Sequence, residues 1–191
     1  MDFEAYLYDR VLPVIQSWNA EDVYALSFFV YSNEAYKYDE YTNISLFSIA
    51  YCTEEGCNHA PPLSEERWNL PCTNLQQETF IIDPGNHPEN HDDGIKTLFK
   101  WYKELGLKNI GYEGPGDAYP VGYYELIRAV SNVAQRLQTE GVIKEKFGPI
   151  PIIVHDLEIL WYLIEEMTEH ANPGGEAELF LRAVREEFPE E

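Results

Sequence analysis

The sequence has few basic residues, few cysteines and no long apolar segment, and each shortage argues against a class of protein. Lysine and arginine number 13 against 34 aspartates and glutamates, which gives a formal net charge of −21. Because contacts with phosphate groups require lysine and arginine, this balance argues against binding to nucleic acid and to anionic membrane surfaces. No apolar run approaches the roughly 18 residues that a membrane-spanning helix requires.

The cysteines and the amino-terminal residues together indicate a cytoplasmic protein. Three cysteines are an odd number, which suits reduced thiols better than a disulfide framework. The start MDFEAYLYDR lacks the basic and apolar regions of a signal peptide. A length of 191 residues with 45% apolar residues fits one domain over residues 1–191 with a single sizeable core.

The order of the hydrophobic patterns predicts an α+β fold, in which helices pack on an antiparallel or mixed sheet. A central strand at 23–32 and a second strand at 44–52 are expected to pair through a long loop at 33–43. Shorter strand patterns occur at 67–70, 79–82 and 151–154. Helical periodicity is expected at 2–18, 91–106, 123–139 with a continuation past 141, 157–171 and 176–188. Pro13 predicts a kink or break in the first helix, and the last helix is expected to turn Leu179, Phe180, Ala183 and Val184 inward.

The segment YCTEEGCNHAPPLSEERWNLPC, residues 51–72, contains all three cysteines and raises the question of a metal site. The candidate zinc ligands are Cys52, Cys57, His59 and Cys72. Structural zinc sites usually offer two paired knuckles, whereas Cys72 stands alone. Cys52 ends an apolar strand, a position typical of a small buried hydrophobe. We therefore expect no metal and no cofactor, with the zinc site as the alternative.

Two histidine patterns are further candidates for chemistry. His87 and His91 have a spacing that would suit one helix face, but the proline between them indicates a loop. His155 and Asp156 follow a predicted strand, as the ligands of metal phosphohydrolases can do, and the simpler interpretation is that Asp156 caps the next helix. No motif for phosphate or dinucleotide binding or for a serine hydrolase is present. We lean towards no enzymatic activity, and the alternative is a metal-dependent hydrolase that uses His155 and Asp156 with further histidine or carboxylate ligands.

Several segments together resemble a known bacterial family. The order and spacing of VYALSFFVYSNE, SLFSIAYCTEE, ERWNLPC and IPIIVHDLE resemble a family of acidic proteins of about this length that is recorded only as a domain of unknown function. The resemblance covers most of the chain. The sequence departs from the family at Leu70, where a proline is usual, and at residues 56–59, which interrupt an expected helix. Such proteins look like relatives of the acidic immunity proteins of bacterial toxin systems, and the resemblance supplies no catalytic residues.

The charge and this resemblance predict a non-enzymatic protein-binding module of the toxin-immunity type with a basic partner. Tyrosines are enriched in binding hot spots, and surrounding acids steer a cationic partner. Arg67 is expected to pair with Glu54 or Glu55, and Trp68 to fill the core. The oligomeric state stays open. The expected binding residues are Glu54, Glu55, Arg67, Trp68, Tyr36, Tyr38 and Tyr41.

Overall fold

A four-stranded sheet lies at the centre of the computed structural model, which describes residues 2–70, 75–83, 93–113, 119–157 and 160–187. The strands are β1 Val23–Tyr38, β2 Tyr41–Thr53, β3 Leu75–Ile82 and β4 Ile152–His155, in the spatial order β3-β2-β1-β4. The strands β1 and β2 pair antiparallel, β3 pairs antiparallel with β2, and β4 runs parallel to β1. The sheet is therefore mixed, and the predicted α+β fold is confirmed.

The connection between β1 and β2 differs from the prediction. The predicted loop at 33–43 is wrong. Both strands continue through this segment and meet at a two-residue turn, where Tyr38 pairs with Tyr41. Asp39 in this turn has a φ of 53°, a conformation typical of tight hairpin turns. The rings of Tyr38 and Tyr41 each contact Phe99, with centroid distances of 4.7 and 4.9 Å. This support from a distant helix stabilises strands whose polar sequence indicated a loop.

Seven helices surround the sheet in the described residues, and most lie where the periodicity predicts them. Asp2 begins the first helix by accepting a hydrogen bond from the Ala5 N–H at 3.0 Å, and the helix continues past Pro13 without a break. The strand predicted at 67–70 is wrong, because Arg67 and Trp68 end a short helix that is closed by local backbone hydrogen bonds. The helices are α1 Phe3–Ser17, α2 Glu65–Trp68, α3 Asp93–Glu104, α4 Tyr123–Thr139, α5 Val142–Phe147, α6 Trp161–Ala171 and α7 Glu178–Glu187.

The two faces of the sheet carry two hydrophobic clusters, because alternate residues of a strand point to opposite sides. Leu26 and Phe28 of β1 belong to the larger cluster, which includes residues of α1, α3, α4 and α5. Cys52 of β2 and Ile153 of β4 belong to the smaller cluster, which includes residues of α7. In α7, Phe180 is buried as expected, whereas the inward position predicted for Leu179 is wrong.

None of the described helices has the length and apolar character that a bilayer crossing requires.

Candidate functional site

The residues expected to bind a partner lie in two groups at opposite ends of the β1–β2 pair. Tyr36, Tyr38 and Tyr41 lie at or near the turn, whereas Glu54 directly follows the last residue of β2. The 16 residues of β1, with a rise of about 3.3 Å each, correspond to about 50 Å of extended chain between these ends. The structure therefore does not bring the seven residues into one site.

At the end formed by residues 54–68, Arg67 and Glu54 form a two-pronged ion pair. The Arg67 Nη1 and Nη2 groups donate to the two carboxylate oxygens of Glu54 at 2.9 and 2.5 Å. Nη1 also donates to the carbonyl oxygen of Ala60 at 3.1 Å, and Arg67 is only 9% exposed. The hydrogen bond from Arg67 lowers the pKa of the Glu54 carboxyl group. The predicted pairing of Arg67 is confirmed for Glu54.

Aromatic rings enclose this ion pair. The Arg67 guanidinium lies 4.1 Å from the ring centroid of Tyr24 and 5.7 Å from that of Trp68, both within the range of cation–π attraction. The Tyr24 hydroxyl donates to the Arg67 carbonyl at 2.6 Å, and the Trp68 indole donates to the Pro62 carbonyl at 2.8 Å. Trp68 is half-buried and packs edge-on against Phe180 of α7. These contacts attach the segment 54–68 to the sheet and to α7.

Exposed carboxylates cluster around this ion pair. The Glu54 N–H donates to the Asp22 carbonyl at 3.0 Å, so the loop before β1 adjoins the loop after β2. We call this surface the acidic end, and it comprises Glu21, Asp22, Glu54, Glu55, Glu65 and Glu66, all exposed except the half-buried Glu54. Since the positive charge of Arg67 is already paired with Glu54, the remaining acids give this end a negative potential.

The candidate zinc ligands differ in burial. Cys52 and Cys57 are both buried in the smaller cluster, and burial raises the pKa of the Cys52 thiol to about 12. The expectation that Cys52 is a small buried hydrophobe is confirmed, whereas His59 is exposed. Among the described residues, no group of three histidines, cysteines or carboxylates is arranged to hold a metal ion. The remaining candidates Cys72, His87 and His91 lie outside the described residues, so the expected absence of a metal stays a prediction and the zinc site stays its alternative.

His155 and Asp156, although adjacent in sequence, contact different parts of the interior. His155 Nε2 lies 2.7 Å from the Ser27 Oγ, and both residues are buried. The Asp156 carboxylate accepts hydrogen bonds from the hydroxyl groups of Tyr119 and Tyr123, the latter at 2.7 Å. Burial lowers the pKa of His155 to about 4, so this residue is neutral at pH 7. Burial and then contact with Asp156 raise the pKa of both tyrosines.

The predicted capping role of Asp156 is wrong. Helix α6 begins at Trp161, with Leu160 at its N-cap, four residues beyond Asp156. The physical reason is that the carboxylate is turned into the core, where it accepts hydrogen bonds from two tyrosine hydroxyls. The metal-dependent hydrolase stays a prediction, and it would have to recruit His155 and Asp156 away from these partners.

A cleft at the other end of the β1–β2 pair was missed by sequence reasoning. Its volume is about 420 Å³, within the usual range of small-molecule sites. The lysines in its wall are spaced by four and three residues on α3, so they lie on one face of the helix. Phe99, which is 2% exposed, contacts the rings of Tyr38 and Tyr41. We call this site the lysine cleft, and it is lined by Tyr38, Asp39, Lys96, Phe99, Lys100, Lys103 and Glu104.

Two of the three lysines in the lysine cleft form no ion pair with a described carboxylate. Lys96 lies 3.8 Å from Asp93, whereas Lys100 and Lys103 form no ion pair within the described part of the chain. The sequence signal that could have revealed this site is the near-neutral stretch at 96–146. Its first three lysines are spaced by four and three residues, as on one face of a helix.

No protein-family model, no curated protein and no solved structure matches this chain. The resemblance to a family of unknown function therefore stays a prediction, and the function has to be inferred from the geometry.

Proposed function

We propose that this protein is a non-enzymatic binding module of the toxin-immunity type, which holds a basic protein partner against its acidic end. The observation that carries the proposal is the arrangement of exposed carboxylates around Trp68 and the buried Arg67–Glu54 pair. A half-buried indole among acidic side chains offers both an apolar contact and attraction for cations.

The fixed geometry of the acidic end supports this proposal. Arg67 contacts Glu54, the Ala60 carbonyl and the Tyr24 ring, so the backbone that presents Glu55 and Trp68 is already ordered before a partner arrives. Binding to an ordered surface loses less conformational entropy than binding to a flexible one. The surplus of negative charge would accelerate encounter with a basic protein, and added salt would weaken this attraction.

The test compares two charge-reversed variants that carry the same change in net charge. Glu55→Lys with Glu65→Lys alters the acidic end, and Glu34→Lys with Glu40→Lys alters exposed positions at the other end of the β1–β2 pair. Proteins captured from a host extract at low and high salt would be identified by mass spectrometry, purified and titrated against both variants by calorimetry. We expect a basic protein that binds the wild type and the Glu34/Glu40 variant, and loses about tenfold or more in affinity for the Glu55/Glu65 variant.

Two results would contradict the proposal. An equal loss of affinity for the partner in both variants would mean that only net charge matters. A loss of affinity confined to the Glu34/Glu40 variant would mean that the partner binds at the hairpin turn. Circular dichroism of each variant would establish that the fold is intact before its affinity is interpreted.

A further inference from the structure

We infer that the lysine cleft binds a small polyanion of the nucleotide type, with a phosphate chain along Lys96, Lys100 and Lys103 and a flat ring against Tyr38. This site lies at the opposite end of the β1–β2 pair from the acidic end, and the inference does not depend on the proposed basic partner.

Two exposed lysines of the cleft form no ion pair, as is true of most described lysines, whereas most described arginines do form one. Acids outnumber bases by 34 to 13, so carboxylates are abundant for any cation that needs one. The described arginines mostly have such a partner within 4.0 Å, namely Arg67, Arg128, Arg136, Arg182 and Arg185. Lys100 and Lys103, by contrast, form no ion pair with any described residue, and Lys100 interacts with Glu104 only through longer-range electrostatics. Their ammonium groups are therefore available for an external anion.

The positive charges of the cleft are spread along one face of α3. Lys103 lies seven positions after Lys96, and a rise of 1.5 Å per residue places these positions about 10 Å apart along α3. Three positive charges over that length match the extent and the charge of a chain of two or three phosphates. Lysine contacts phosphate as a point charge without fixed geometry, which suits a flexible chain.

The rest of the cleft supplies an aromatic ring and carboxylate oxygens. Tyr38 supplies an aromatic surface that is held in place by Phe99, at a centroid distance of 4.7 Å. Asp39 also lines the cleft, and its carboxylate repels an anion but accepts hydrogen bonds from hydroxyl or amino groups. A ligand that satisfies both parts has an anionic chain and a neutral, flat, polar group, as a nucleoside polyphosphate does.

The experiment measures the affinity of the full chain for three probes by calorimetry at low salt: ATP without added Mg²⁺, inorganic triphosphate and adenosine. We expect ATP to bind most tightly and triphosphate more weakly, with adenosine undetected at millimolar concentration. Lys100→Gln with Lys103→Gln is expected to weaken ATP binding by about tenfold, since each exposed ionic contact contributes modestly. The matched control, Lys108→Gln with Lys144→Gln, removes the same charge at exposed positions outside the cleft and is expected to retain wild-type affinity.

A second substitution tests the ring contact. Tyr38→Leu is expected to weaken ATP binding several-fold and to leave triphosphate binding unchanged, because stacking is lost while the lysines remain. The absence of ATP binding at low salt would overturn the inference, and so would equal weakening in the Lys100/Lys103 and Lys108/Lys144 variants. Triphosphate binding as tight as that of ATP would overturn the ring contact. Amide chemical shifts in nuclear magnetic resonance spectra would identify whether α3 is the region that responds.

Discussion

The acidic end and the lysine cleft lie at opposite ends of the same pair of strands, and they use charge in different ways. At the acidic end, Arg67 is buried against Glu54 and two aromatic rings, so its charge is satisfied inside the protein. In the lysine cleft, Lys100 and Lys103 are exposed, and no described carboxylate pairs with them. Arg67, with its internal partners, therefore mainly supports the fold, whereas the exposed Lys100 and Lys103 can contact a ligand.

The largest effect is expected from removing the buried cation. Arg67→Met retains a long apolar side chain but leaves the Glu54 carboxylate and the Ala60 carbonyl without their donor. We expect the free energy of unfolding to fall by about 3 kcal/mol. This value lies at the low end of the range for removing one partner of a buried ion pair, because water still reaches part of the Glu54 side chain. Urea denaturation measures this change.

The matched control for that substitution is Arg182→Met, which breaks an exposed ion pair with Glu186 on α7. Such pairs contribute little, and we expect a loss of less than about 0.5 kcal/mol. Similar losses in the two variants would contradict a structural role that is specific to the buried arginine.

The second prediction uses His155, a buried titratable group between the two ends. Its pKa in the folded chain, about 4, lies below the ordinary value of 6.5, so the unfolded chain binds a proton more readily. The stability contributed by neutral His155 is therefore complete above pH 6.5 and is lost as the pH falls towards 4. We expect a loss of about 2 kcal/mol between pH 7 and pH 5.

Urea midpoints of the wild type and of His155→Gln, measured over this pH range, separate this effect from the titration of the carboxylates. Glutamine retains a hydrogen-bonding group near Ser27 and does not titrate. An equally steep decline in the variant would mean that another group causes the pH dependence.

The smallest effect on stability is expected at the lysine cleft. Lys100→Gln with Lys103→Gln removes two exposed charges that have no described ion-pair partner, so the free energy of unfolding should change by less than about 0.5 kcal/mol. The same urea experiment checks this value. A loss as large as that of Arg67→Met would remove the contrast between the two ends, because it would give the lysines a structural role.

The elements of the fold with strong periodic patterns were predicted from the sequence. The strands at 23–32 and 44–52 and the helix at 123–139 are regular in hydrophobicity and lie where they were expected. The predictions of a loop at 33–43 and of a strand at 67–70 were wrong. These segments form a hairpin extension and a short helix, because their conformation depends on distant contacts. Tyr38 needs Phe99 of α3, and Trp68 packs against Phe180 of α7.

Among the candidate functional residues, contacts within one short segment were also predictable, whereas contacts between distant segments were not. The pairing of Arg67 with Glu54, 13 residues away, could be anticipated because both lie in one charged segment. The contact of Ser27 with His155 spans 128 residues, and that of Tyr123 with Asp156 spans 33. Patterns in a single sequence do not indicate contacts at such separations, so Asp156 was assigned to a helix cap.

The sequence by itself determined the acidic charge, the α+β class and the positions of the main helices and strands, because these depend on composition and on local periodicity. Only the tertiary structure decided which charges are paired. It buried Arg67 against Glu54 and placed His155 and Asp156 beside separate partners. It also brought the hairpin turn beside the lysines of α3. The physical reason is that burial and ion pairing depend on distances in space, which the order of residues along the chain does not specify.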